Sequence, residues 1–574
     1  MRALILNSGL GTRLEELTAD KCKCLVEIED GVTILDMQIR SLFACGIRDI
    51  CVTTGAFADK LENYLAEKYP QGQFTFVNNP VYDKTNYIYS IYLAKEYLYQ
   101  DILLIHGDLV FDISVLQDLI EAESSVLVID STKQLPEKDF KATVDGGRIS
   151  KVGVNIFSEA FYTQPMYKLL KKDWFIWLEE INRFCGDNRT GVYAEDALNC
   201  VSRNMDLRPL DILGRDCFEV DNKVDLLKAK EFYKKSPQMV LVGDGSRKHI
   251  TDILYTENVN KPMVVCALRS NGIVPYDNAV YFNEFTSNPK HDEVLAGIEI
   301  FKRENCDFLI SLDGGSAIDV AKCINILTLD DKPALREIPR CKHLSVPTTA
   351  GTGSEATHFA VLYKDGEKLS IAHKYILPEY AILDPDFLKT LPIYHKKSAM
   401  LDALCQSIES LWAKGATFES REYASESIRL IEENEQSYLS GYDKESALNM
   451  LKAAHLSGKA INISKTTAAH AMSYGLTEEF GIAHGHAVAL CLPLVWEHLA
   501  RHGKVPELLT RNKYNELTAR LTELDMVYDI SCGKKADDIA AKLAASVNTE
   551  RLSNHPVPLS EKEIIDMYLT ILNF

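Results

Sequence analysis

Two glycine-rich turns are the first places in this 574-residue sequence where chemistry is indicated. Residues 7–13 read Asn-Ser-Gly-Leu-Gly-Thr-Arg and follow the apolar stretch Arg2–Leu6, while residues 313–316 read Asp-Gly-Gly-Ser and follow the apolar stretch Phe308–Leu312. A glycine turn that opens a helix exposes backbone N–H groups to an anion and lets a phosphate approach the chain closely. Each turn therefore predicts either a phosphate-binding site or simply a tight strand-to-helix connection.

Acidic side chains stand at two predicted strand ends in the first part of the chain. Asp108 follows a buried-type strand, at the edge where ligand sites open in parallel sheets. Glu219 and Asp221 are two residues apart, which would place both on one face of a strand. Carboxylates at such positions can hold a metal ion. A helix cap is the alternative for Asp108, and a solvated strand end is the alternative for the other two.

Potential metal ligands also occur in the last third of the sequence. Asp402 and Gln406 are four residues apart, on one face of a predicted helix, and His470 and His484 follow. Aspartate and histidine bind first-row divalent metals, and a glutamine carbonyl oxygen is a weaker donor than imidazole. The alternative for a single histidine in an Ala-rich helix is a packed core residue.

The elements that must position these residues form two successive α/β patterns. The predicted strands of the first pattern are Arg2–Leu6, Ile50–Thr53, Ile102–Ile105 and Val126–Ile129, separated by helices such as Leu35–Cys45 and Ile88–Tyr97. The predicted strands of the second are Val240–Val242, Met263–Ala267, Phe308–Leu312 and Leu344–Val346. This alternation predicts parallel, doubly wound sheets, and beyond about Leu391 only helical periodicity remains. We therefore predict domains at residues 1–235, 236–392 and 393–574.

Composition excludes several classes of protein. Hydrophobic residues are 46% and charged residues 25% of the chain, as in ordinary globular domains, and the net charge of −19 argues against a nucleic-acid-binding face. No stretch approaches the roughly 20 apolar residues of a membrane span, and the N-terminus does not read as a signal peptide. The 14 cysteines are scattered apart from Cys22 and Cys24, as is typical of reduced thiols. We expect a cytoplasmic protein.

The first turn and its surroundings resemble a known family. The run from Gly9 to Leu14, followed by Thr18 and Lys23-Cys24-Leu25, is similar to the signature of nucleotidyltransferases. Residues 79–90 resemble the cytidylyltransferases that activate choline phosphate and aminoethylphosphonate. The resemblance covers roughly residues 1–232 and implies a Rossmann-like domain that uses CTP and Mg²⁺. Cys22 stands where the family usually has Pro, which alters the stiffness of the loop more than its chemistry.

The resemblance implies roles for particular residues of this first module. Arg13 and Lys23 would neutralise the triphosphate, and Asp108, Glu219 and Asp221 would hold Mg²⁺. The residues expected to bind the nucleotide or the acceptor are Leu6, Ser8, Gly9, Gly11, Thr85, Asn86, Ser90, Gly107, Glu195 and Asp196. In choline-type relatives the last two match an element facing a cationic head group, although a surface pair at a helix N-terminus explains them equally well. A phosphate or phosphonate acceptor is already an anion near neutral pH, so it needs no general base.

The second module, from about Met239 to the C-terminus, resembles the iron-containing (group III) alcohol dehydrogenases. Residues 313–322 and 347–355 carry the resemblance in its α/β part. The residues implied to bind NAD(H) or NADP(H) are Gly314, Gly315, Ser316, Asp319, Thr348, Thr349 and Ser354. Asp313 replaces the usual first glycine, and we expect its side chain to point away from the pyrophosphate. Arg269 would suit the 2′-phosphate of NADPH or be an ordinary surface residue.

The same resemblance implies a dehydroquinate synthase-like fold whose helical domain holds Fe²⁺ or Zn²⁺. The matching ligands are Asp402, Gln406, His470 and His484, with Gln406 in place of a histidine. Tyr474 replaces a further histidine that lines the substrate site, and a tyrosine there can donate a proton. Residues 470–487 are similar to the phosphonoacetaldehyde reductase branch, in which Gln at the second ligand position is familiar.

Together the two modules predict a bifunctional enzyme of phosphonate biosynthesis. Reduction of phosphonoacetaldehyde would give 2-hydroxyethylphosphonate, and the first module would transfer CMP from CTP to this product, releasing pyrophosphate. One alternative is a cytidylyltransferase for aminoethylphosphonate or choline phosphate beside a generic aldehyde reductase. The other is a transferase that carries a non-catalytic dehydrogenase-like scaffold. Dehydrogenases of this family commonly dimerise, so we expect a homodimer.

Overall fold

The computed structural model describes residues 1–9, 12–29, 31–235, 238–267, 273–327, 341–364, 367–524, 526, 535–547 and 552–572. The chain divides into two compact units, Met1–Met239 with His249–Asn258, and Val240–Lys248 with Val259–Phe574. Across the described residues, we find no helix with the length and apolar character that a membrane crossing requires.

The first unit is built on a mixed β-sheet. The strands of the unit are β1 Arg2–Leu6, β2 Glu27–Glu29, β3 Val32–Thr33, β4 Asp49–Thr54, β5 Gln73–Asn78, β6 Ile102–His106, β7 Leu109–Phe111, β8 Ser125–Asp130, β9 Lys141–Asp145, β10 Arg148–Gly153, β11 Ala160–Leu169, β12 Leu207–Asp211 and β13 Cys217–Glu219. The main sheet has the order β10-β9-β11-β6-β1-β4-β5, and β8 joins β11 to β12. As predicted, β4 and β6 are parallel to β1, and β5 is parallel to β4.

One edge of this sheet departs from the predicted parallel arrangement. β11 runs antiparallel to β6, β8 and β9. β9 and β10 are joined by Gly146 and Gly147, with φ of 55° and 77°, and two positive φ angles in a two-residue connection let a strand fold straight back. Only residues 154–159 separate β10 from β11, whereas a parallel neighbour needs a crossover of a dozen or more residues. The prediction of a wholly parallel sheet is therefore wrong here.

Helices cover the faces of the first unit. They are α1 Ile34–Ala44, α2 Ala58–Lys68, α3 Tyr87–Ala94, α4 Ile113–Glu121, α5 Lys171–Gly186, α6 Ala194–Val201, α7 Lys223–Lys235 and α8 His249–Thr256. Trp174 and Trp177 of α5 are fully buried in the core of this unit. Their indole N–H groups donate to the carbonyls of Leu98 and Ala194 at 2.8 and 2.9 Å, so these large side chains are buried without an unsatisfied donor.

The second unit begins with a six-stranded sheet in the described residues, in the order β14-β21-β18-β17-β15-β16. Its strands and the neighbouring hairpin are β14 Met239–Val242, β15 Pro262–Cys266, β16 Val280–Phe282, β17 Phe308–Asp313, β18 Lys342–Pro347, β19 Phe359–Lys364, β20 Glu367–Ala372 and β21 Tyr380–Leu383. The helices beside them are α9 His291–Arg303 and α10 Gly315–Leu327. β15 through β18 and β21 pair in parallel, as the apolar runs predict.

The remainder of the second unit is helical, in agreement with the periodicity beyond Leu391. The helices are α11 Ile393–Trp412, α12 Phe418–Ser440, α13 Lys444–Ser464, α14 Ala468–Phe480, α15 His484–Arg501, α16 Arg511–Glu523, α17 Ala536–Ala545 and α18 Glu561–Leu572. α11 is buried along almost its whole length. A helix that is apolar or paired on every side lies inside a bundle, and the polar residues of α11 therefore have to find partners there.

Candidate active sites

Lys23 lies at the centre of the first site. Its Nζ donates to Asp108 Oδ2 and to Asp221 Oδ1, both at 2.6 Å, and Arg13 donates to Asp221 Oδ2 at 2.6 Å. Burial opposes the charge of Lys23, but Asp108 and Asp221 outweigh burial and raise its pKa. Burial likewise opposes the charge of Asp221, but Lys23 and Arg13 outweigh it and lower the pKa of Asp221. The Arg13 side chain is 71% exposed, and its guanidinium is open to an incoming anion.

A second group of ligand atoms lies beside this network. His106 ends β6, Glu219 ends β13, and Asp108 lies in the turn between β6 and β7. One ligand atom of each of these three residues lies within 4.8 Å of the others. Because β13 ends at Glu219, Asp221 lies beyond the strand, and the predicted shared face of Glu219 and Asp221 is wrong. The structure instead groups two of the three predicted Mg²⁺ ligands with His106, which our sequence interpretation did not select.

This group fits a divalent ion. Asp108 Oδ1 is buried and has no hydrogen-bond partner among the described residues, so one carboxylate oxygen is available. Burial and the neighbouring Asp108 raise the pKa of Glu219, which identifies a buried carboxyl that lacks a full counter-charge. A cation at this position would relieve both, as carboxylates that bind Mg²⁺ together with phosphate oxygens do.

The predicted nucleotide-binding residues form a connected polar network at the ends of β1 and β5. The Ser8 and Ser90 hydroxyls are 2.7 Å apart, and Asn79 Nδ2 donates to Ser90 Oγ and Thr85 Oγ1, both at 3.0 Å. Leu6 is buried at the end of β1. The network presents hydroxyl groups next to the glycine turn, where a ribose or a phosphate would need them.

Glycine and Asn positions near the turn have separate explanations. A Cβ on Gly107 would lie 1.7 Å from Asn7 Oδ1, so a larger residue there would have to displace the Asn7 side chain, whereas a Cβ on Gly9 meets nothing within 4 Å. Asn86 caps α3, because its side chain accepts from Tyr87 N. Gly11 lies outside the described residues.

Of the two interpretations of the acidic pair, head-group recognition fits Glu195 and a helix N-terminus fits Asp196. Glu195 is 1% exposed and accepts from the Tyr87 and Tyr167 hydroxyls, the latter at 2.9 Å. The Tyr193 ring lies 5.9 Å from the Tyr87 ring, so aromatic faces stand beside this carboxylate. Asp196 instead caps α6, where it accepts from Tyr193 N at 3.0 Å. Glu195 therefore has the properties of a recognition residue and Asp196 those of a helix cap.

The second site lies among α11, α14 and α15. One ligand atom of each of Asp402, His470 and His484 lies within 4.8 Å of the others. His470 Nε2 is buried, is 3.4 Å from Asp402 Oδ1, and has no hydrogen-bond partner among the described residues. Donors about 2.1 Å from one ion and roughly at right angles are themselves about 3 Å apart. The three residues fit a divalent metal ion.

Glu409, one helical turn beyond Gln406, is a functional residue that our sequence interpretation missed. It is fully buried and accepts from Thr467 Oγ1 at 2.5 Å, from Ala469 N at 2.9 Å and from His470 Nδ1. A proton held on Nδ1 leaves the lone pair of Nε2 directed at Asp402. The sequence signal for Glu409 is its spacing of three residues from Gln406 on the same predicted helix.

The side-chain amide of Gln406 lies beside Asp402 and can adopt two orientations. Its amide nitrogen is 3.3 Å from Asp402 Oδ1 and donates to Thr352 O at 3.2 Å, while its amide oxygen accepts from Ser457 Oγ at 2.8 Å. Ser457 Oγ is also 2.9 Å from the Ala454 carbonyl. With the amide rotated, Ser457 would donate to Ala454 and accept from the Gln406 nitrogen, and the amide oxygen would face Asp402.

Tyr474 lies beside the metal ligands. Its ring stacks on the His484 ring, with 5.0 Å between the centroids and 15° between the planes. It is one helical turn after His470 on α14, so its position follows from the i to i+4 spacing.

The predicted cofactor residues lie on two facing segments. A Cβ on Gly315 would lie 2.8 Å from Thr352, and a Cβ on Gly314 would lie 3.5 Å from Thr349, so the turn before α10 closely approaches the segment after β18. Ser316 Oγ donates to the Ser287 carbonyl at 2.5 Å. The amide nitrogens of such a turn provide a place for a pyrophosphate.

Asp313 and Asp319 have structural partners. Asp313 accepts from Ala267 N and Thr348 Oγ1, both at 3.0 Å, so its side chain ties the ends of three neighbouring strands together. Asp319 accepts from Ser354 Oγ at 2.6 Å and from Val361 N at 3.0 Å. Asp319 and Ser354 therefore brace each other. Arg269, the candidate for a 2′-phosphate, lies outside the described residues.

Lys322 is a third residue that our sequence interpretation missed. Its ammonium group is fully buried and donates to the Ser354 and Phe359 carbonyls at 2.6 and 2.9 Å and to Thr357 Oγ1 at 2.9 Å. Burial lowers its pKa to about 8. Lys322 holds the segment that faces the glycine turn, and it contributes position rather than chemistry.

Comparison with known proteins identifies the class of each unit. Residues 2–140 match the nucleotidyl transferase family model. Residues 237–385 match the model of the iron-containing alcohol dehydrogenases, and residues 397–558 match the model of the C-terminal part of that family. The last two models together cover more than half of the chain. The chain therefore belongs to the iron-containing alcohol dehydrogenase family and carries a nucleotidyl transferase domain at its N-terminus, which confirms the predicted combination of two enzyme domains.

Individual relatives give a more specific comparison for the second unit than the family models do. Phosphonoacetaldehyde reductase of Streptomyces viridochromogenes is 33% identical over 248 residues, which cover 40% of this chain and 61% of that enzyme. The NAD-dependent methanol dehydrogenase of Bacillus methanolicus is 28% identical over 318 residues, covering 51% and 83%. The crystal structure of sulfoacetaldehyde reductase from Bifidobacterium kashiwanohense in complex with NAD⁺ matches with a TM-score of 0.53 and 25% identity, over 58% of this chain and 97% of that one. The predicted fold class is confirmed.

Proposed function

We propose that the chain is a bifunctional enzyme that reduces phosphonoacetaldehyde to 2-hydroxyethylphosphonate and then transfers CMP from CTP to that phosphonate. The observation that carries the proposal is the fusion itself: a nucleotidyl transferase domain precedes a region similar to phosphonoacetaldehyde reductase. The product of the second unit is an anion of the class that the first unit would use as its nucleophile. Two enzymes whose substrates and products were unrelated would not need to be joined in one chain.

In the transfer reaction, a phosphonate oxygen attacks the α-phosphorus of CTP, the new P–O–P bond forms, and the bond to the β-phosphate breaks to release pyrophosphate. We assign the neutralisation of the triphosphate charge to Lys23 and Arg13, which already neutralise Asp221. A divalent ion at Asp108 and Glu219 would supply further charge compensation where the phosphate oxygens develop charge. Phosphate monoesters lose their second proton near pH ~6, and a phosphonate dianion likewise attacks without a protein base.

In the reduction, NADH or NADPH would donate a hydride to the aldehyde carbon, and Fe²⁺ or Zn²⁺ at Asp402, His470 and His484 would supply Lewis-acid activation of the aldehyde oxygen. We assign to Glu409 the orientation of His470, through the hydrogen bond to Nδ1. Tyr474, stacked on His484, is our candidate for the proton that the product alkoxide takes up. A non-catalytic scaffold would not need the ligand atoms of Asp402, His470 and His484 within 4.8 Å of one another, and this grouping argues against that alternative.

One observation favours a second candidate, with aminoethylphosphonate as the acceptor. Glu195 is a buried carboxylate that accepts from the Tyr87 hydroxyl, and the Tyr87 ring lies near the Tyr193 ring; a carboxylate with aromatic rings nearby is an environment that an ammonium group prefers. A hydroxyethyl group would bind there only through a hydrogen bond to Glu195 or to a tyrosine hydroxyl.

The two acceptors are separated by comparing kcat/KM for hydroxyethyl- and aminoethylphosphonate in the parent enzyme and in Glu195→Gln. If the acceptor is the amine, the substitution lowers kcat/KM for aminoethylphosphonate about 10²-fold more than for hydroxyethylphosphonate, because it removes a buried ion pair. If the acceptor is hydroxyethylphosphonate, it is the better substrate of the parent enzyme and the two losses are similar. Asp196→Asn is the matched control, since Asp196 is a helix cap.

The link between the two activities is tested with variants that each remove one of them. Lys23→Met should strongly impair transfer and leave aldehyde-dependent NAD(P)H oxidation intact, and His484→Ala should do the reverse. An equimolar mixture of the two should regain the conversion of aldehyde, CTP and NAD(P)H into a CMP-phosphonate. If neither variant changes either reaction, the assignment of both sites is wrong.

A further inference from the structure

We infer that His106 is a nitrogen ligand to the divalent ion of the transferase site, which makes that site a mixed nitrogen and oxygen site that prefers Mn²⁺ to Mg²⁺. The inference rests on the proposed transfer function for its purpose but not for its test, because metal binding is measured without turnover. It assigns to the ion the set His106, Asp108 and Glu219 in place of three carboxylates.

The positions of the atoms support this set. His106 Nδ1 is 3.4 Å from Glu219 Oε1, close to the separation of about 3 Å between neighbouring donors on one ion. His106 Nε2 and Asp108 Oδ1 are both buried and have no hydrogen-bond partner among the described residues. An ion shared by the three residues would give the unpartnered Asp108 oxygen a counter-charge.

Asp221 is less available to the ion than its sequence position predicts. Both of its carboxylate oxygens accept from cations, Oδ1 from Lys23 and Oδ2 from Arg13, each at 2.6 Å. Ligation by Asp221 would have to displace one of these cations. Asp108 is different, because Lys23 occupies only Oδ2 and leaves Oδ1 without a partner.

The backbone that carries His106 and Asp108 is clamped. Gln38, which is fully buried, donates through Nε2 to the His106 carbonyl at 2.9 Å and to the Leu109 carbonyl at 2.8 Å, on the two sides of the turn. The Tyr87 ring packs edge-on against the imidazole, with 4.7 Å between the centroids. The imidazole is therefore held in place from the backbone and from one face, as a metal ligand must be.

The composition of the set determines the metal. Mg²⁺ takes oxygen ligands and keeps several waters, whereas an imidazole nitrogen favours first-row transition ions, among which Mn²⁺ also accepts carboxylate oxygens. Two carboxylates and one neutral imidazole balance the charge of a divalent ion. We expect half-maximal transfer at a Mn²⁺ concentration at least about tenfold lower than the Mg²⁺ concentration required.

The direct test is pulsed electron paramagnetic resonance of Mn²⁺ added alone to the full chain. The background carries both His470→Ala and His484→Ala, because each of these histidines of the reductase site would otherwise contribute its own nitrogen signal. We expect the modulation of a directly bound ¹⁴N nucleus in this background and its loss in His106→Gln, whose amide oxygen can still ligate. Tyr87→Phe, which keeps the ring against His106, should retain the signal.

If this double-variant background does not fold, the same comparison is made in the otherwise unaltered enzyme after its reductase site is filled with one equivalent of diamagnetic Zn²⁺. The inference is overturned if the nitrogen signal is the same with and without His106, or if Mn²⁺ does not bind. A second readout is the ratio of the Mg²⁺ to the Mn²⁺ concentration at half-maximal transfer, which should fall at least about tenfold in His106→Gln. Failure of transfer with an intact nitrogen signal would count against the proposed function and leave the ligand assignment standing.

Discussion

Replacing Glu409 with Gln keeps the shape of the side chain and changes what it offers to His470. The Gln oxygen can still accept from Thr467 Oγ1 and Ala469 N, which now lie 2.5 and 2.9 Å from one Glu409 oxygen. The Gln nitrogen then faces His470 Nδ1, which must accept instead of donate. The ring proton moves to Nε2, the atom that faces Asp402, and the lone pair needed by a metal is lost.

The expected cost follows from this change of tautomer. Loss of an outer partner that fixes a metal-binding histidine typically lowers metal affinity 10–100-fold, or about 1.4–2.7 kcal/mol. Glu409 is fully buried and takes three hydrogen bonds, so we expect the upper part of that range. The fold should persist, because two of these three hydrogen bonds survive and no cavity is created.

Metal affinity is measured by competition with a chelator, using Fe²⁺ without oxygen and Zn²⁺ separately, and circular dichroism monitors the fold. Ser410→Ala is the matched control, since Ser410 is the next residue of α11, is also buried, and is bonded to Ser464 rather than to a ligand. It should bind metal like the parent chain. If Glu409→Gln binds within twofold of the parent, the account of His470 orientation is refuted.

Four further results are expected. Lys23→Met lowers the rate of transfer about 10²–10³-fold without changing NAD(P)H oxidation, because it removes the cation between Asp108 and Asp221; equal loss of both activities would contradict this. Gln406→His tightens metal binding about tenfold by replacing a weak oxygen donor, and weaker binding in the chelator assay would count against ligation at this position. Burial opposes protonation of His470, but its two carboxylate neighbours outweigh burial and raise its pKa. Because a proton competes with the metal for the imidazole, metal affinity should fall about tenfold per pH unit below that pKa. Metal titrations near pH ~6 and pH ~8 would detect this fall. Lys322→Met leaves buried oxygens unpaired, which costs about 3 kcal/mol and should lower the thermal midpoint by several degrees; an unchanged midpoint would refute the structural role.

The extent to which the fold could be predicted depends on where the signal lies in the chain. The strands that the apolar runs predict in both units have bounds within a residue or two of the structure, whereas the parallel strands β5, β12, β16 and β21 were not predicted. The antiparallel β9–β11 edge was not predicted, although Gly146-Gly147 between two strands is a hairpin signal. Register and direction depend on long-range pairing, which a local pattern does not contain.

The residues of the candidate sites also fall into those that the sequence predicts and those that only the fold identifies. Asp402 and His470 lie at positions given by helical spacing and resemblance, and their ligand atoms meet. His106, Glu409 and Lys322 have no motif of their own, and their roles follow only from the buried partners that the fold brings to them. A sequence shows which residue types are present, but it does not show which buried groups the fold brings together, and that is the observation that identifies these residues.

The measurement that tests the central claim most directly is phosphorus NMR of the purified chain with phosphonoacetaldehyde, CTP, a divalent metal salt and either NADH or NADPH. Our account predicts that the aldehyde signal disappears and that a coupled phosphonate–phosphate anhydride pair grows only when the nicotinamide is supplied. Loss of the aldehyde without the anhydride would contradict the assigned acceptor. If neither signal changes, the proposal that this chain reduces and then activates a phosphonate is wrong.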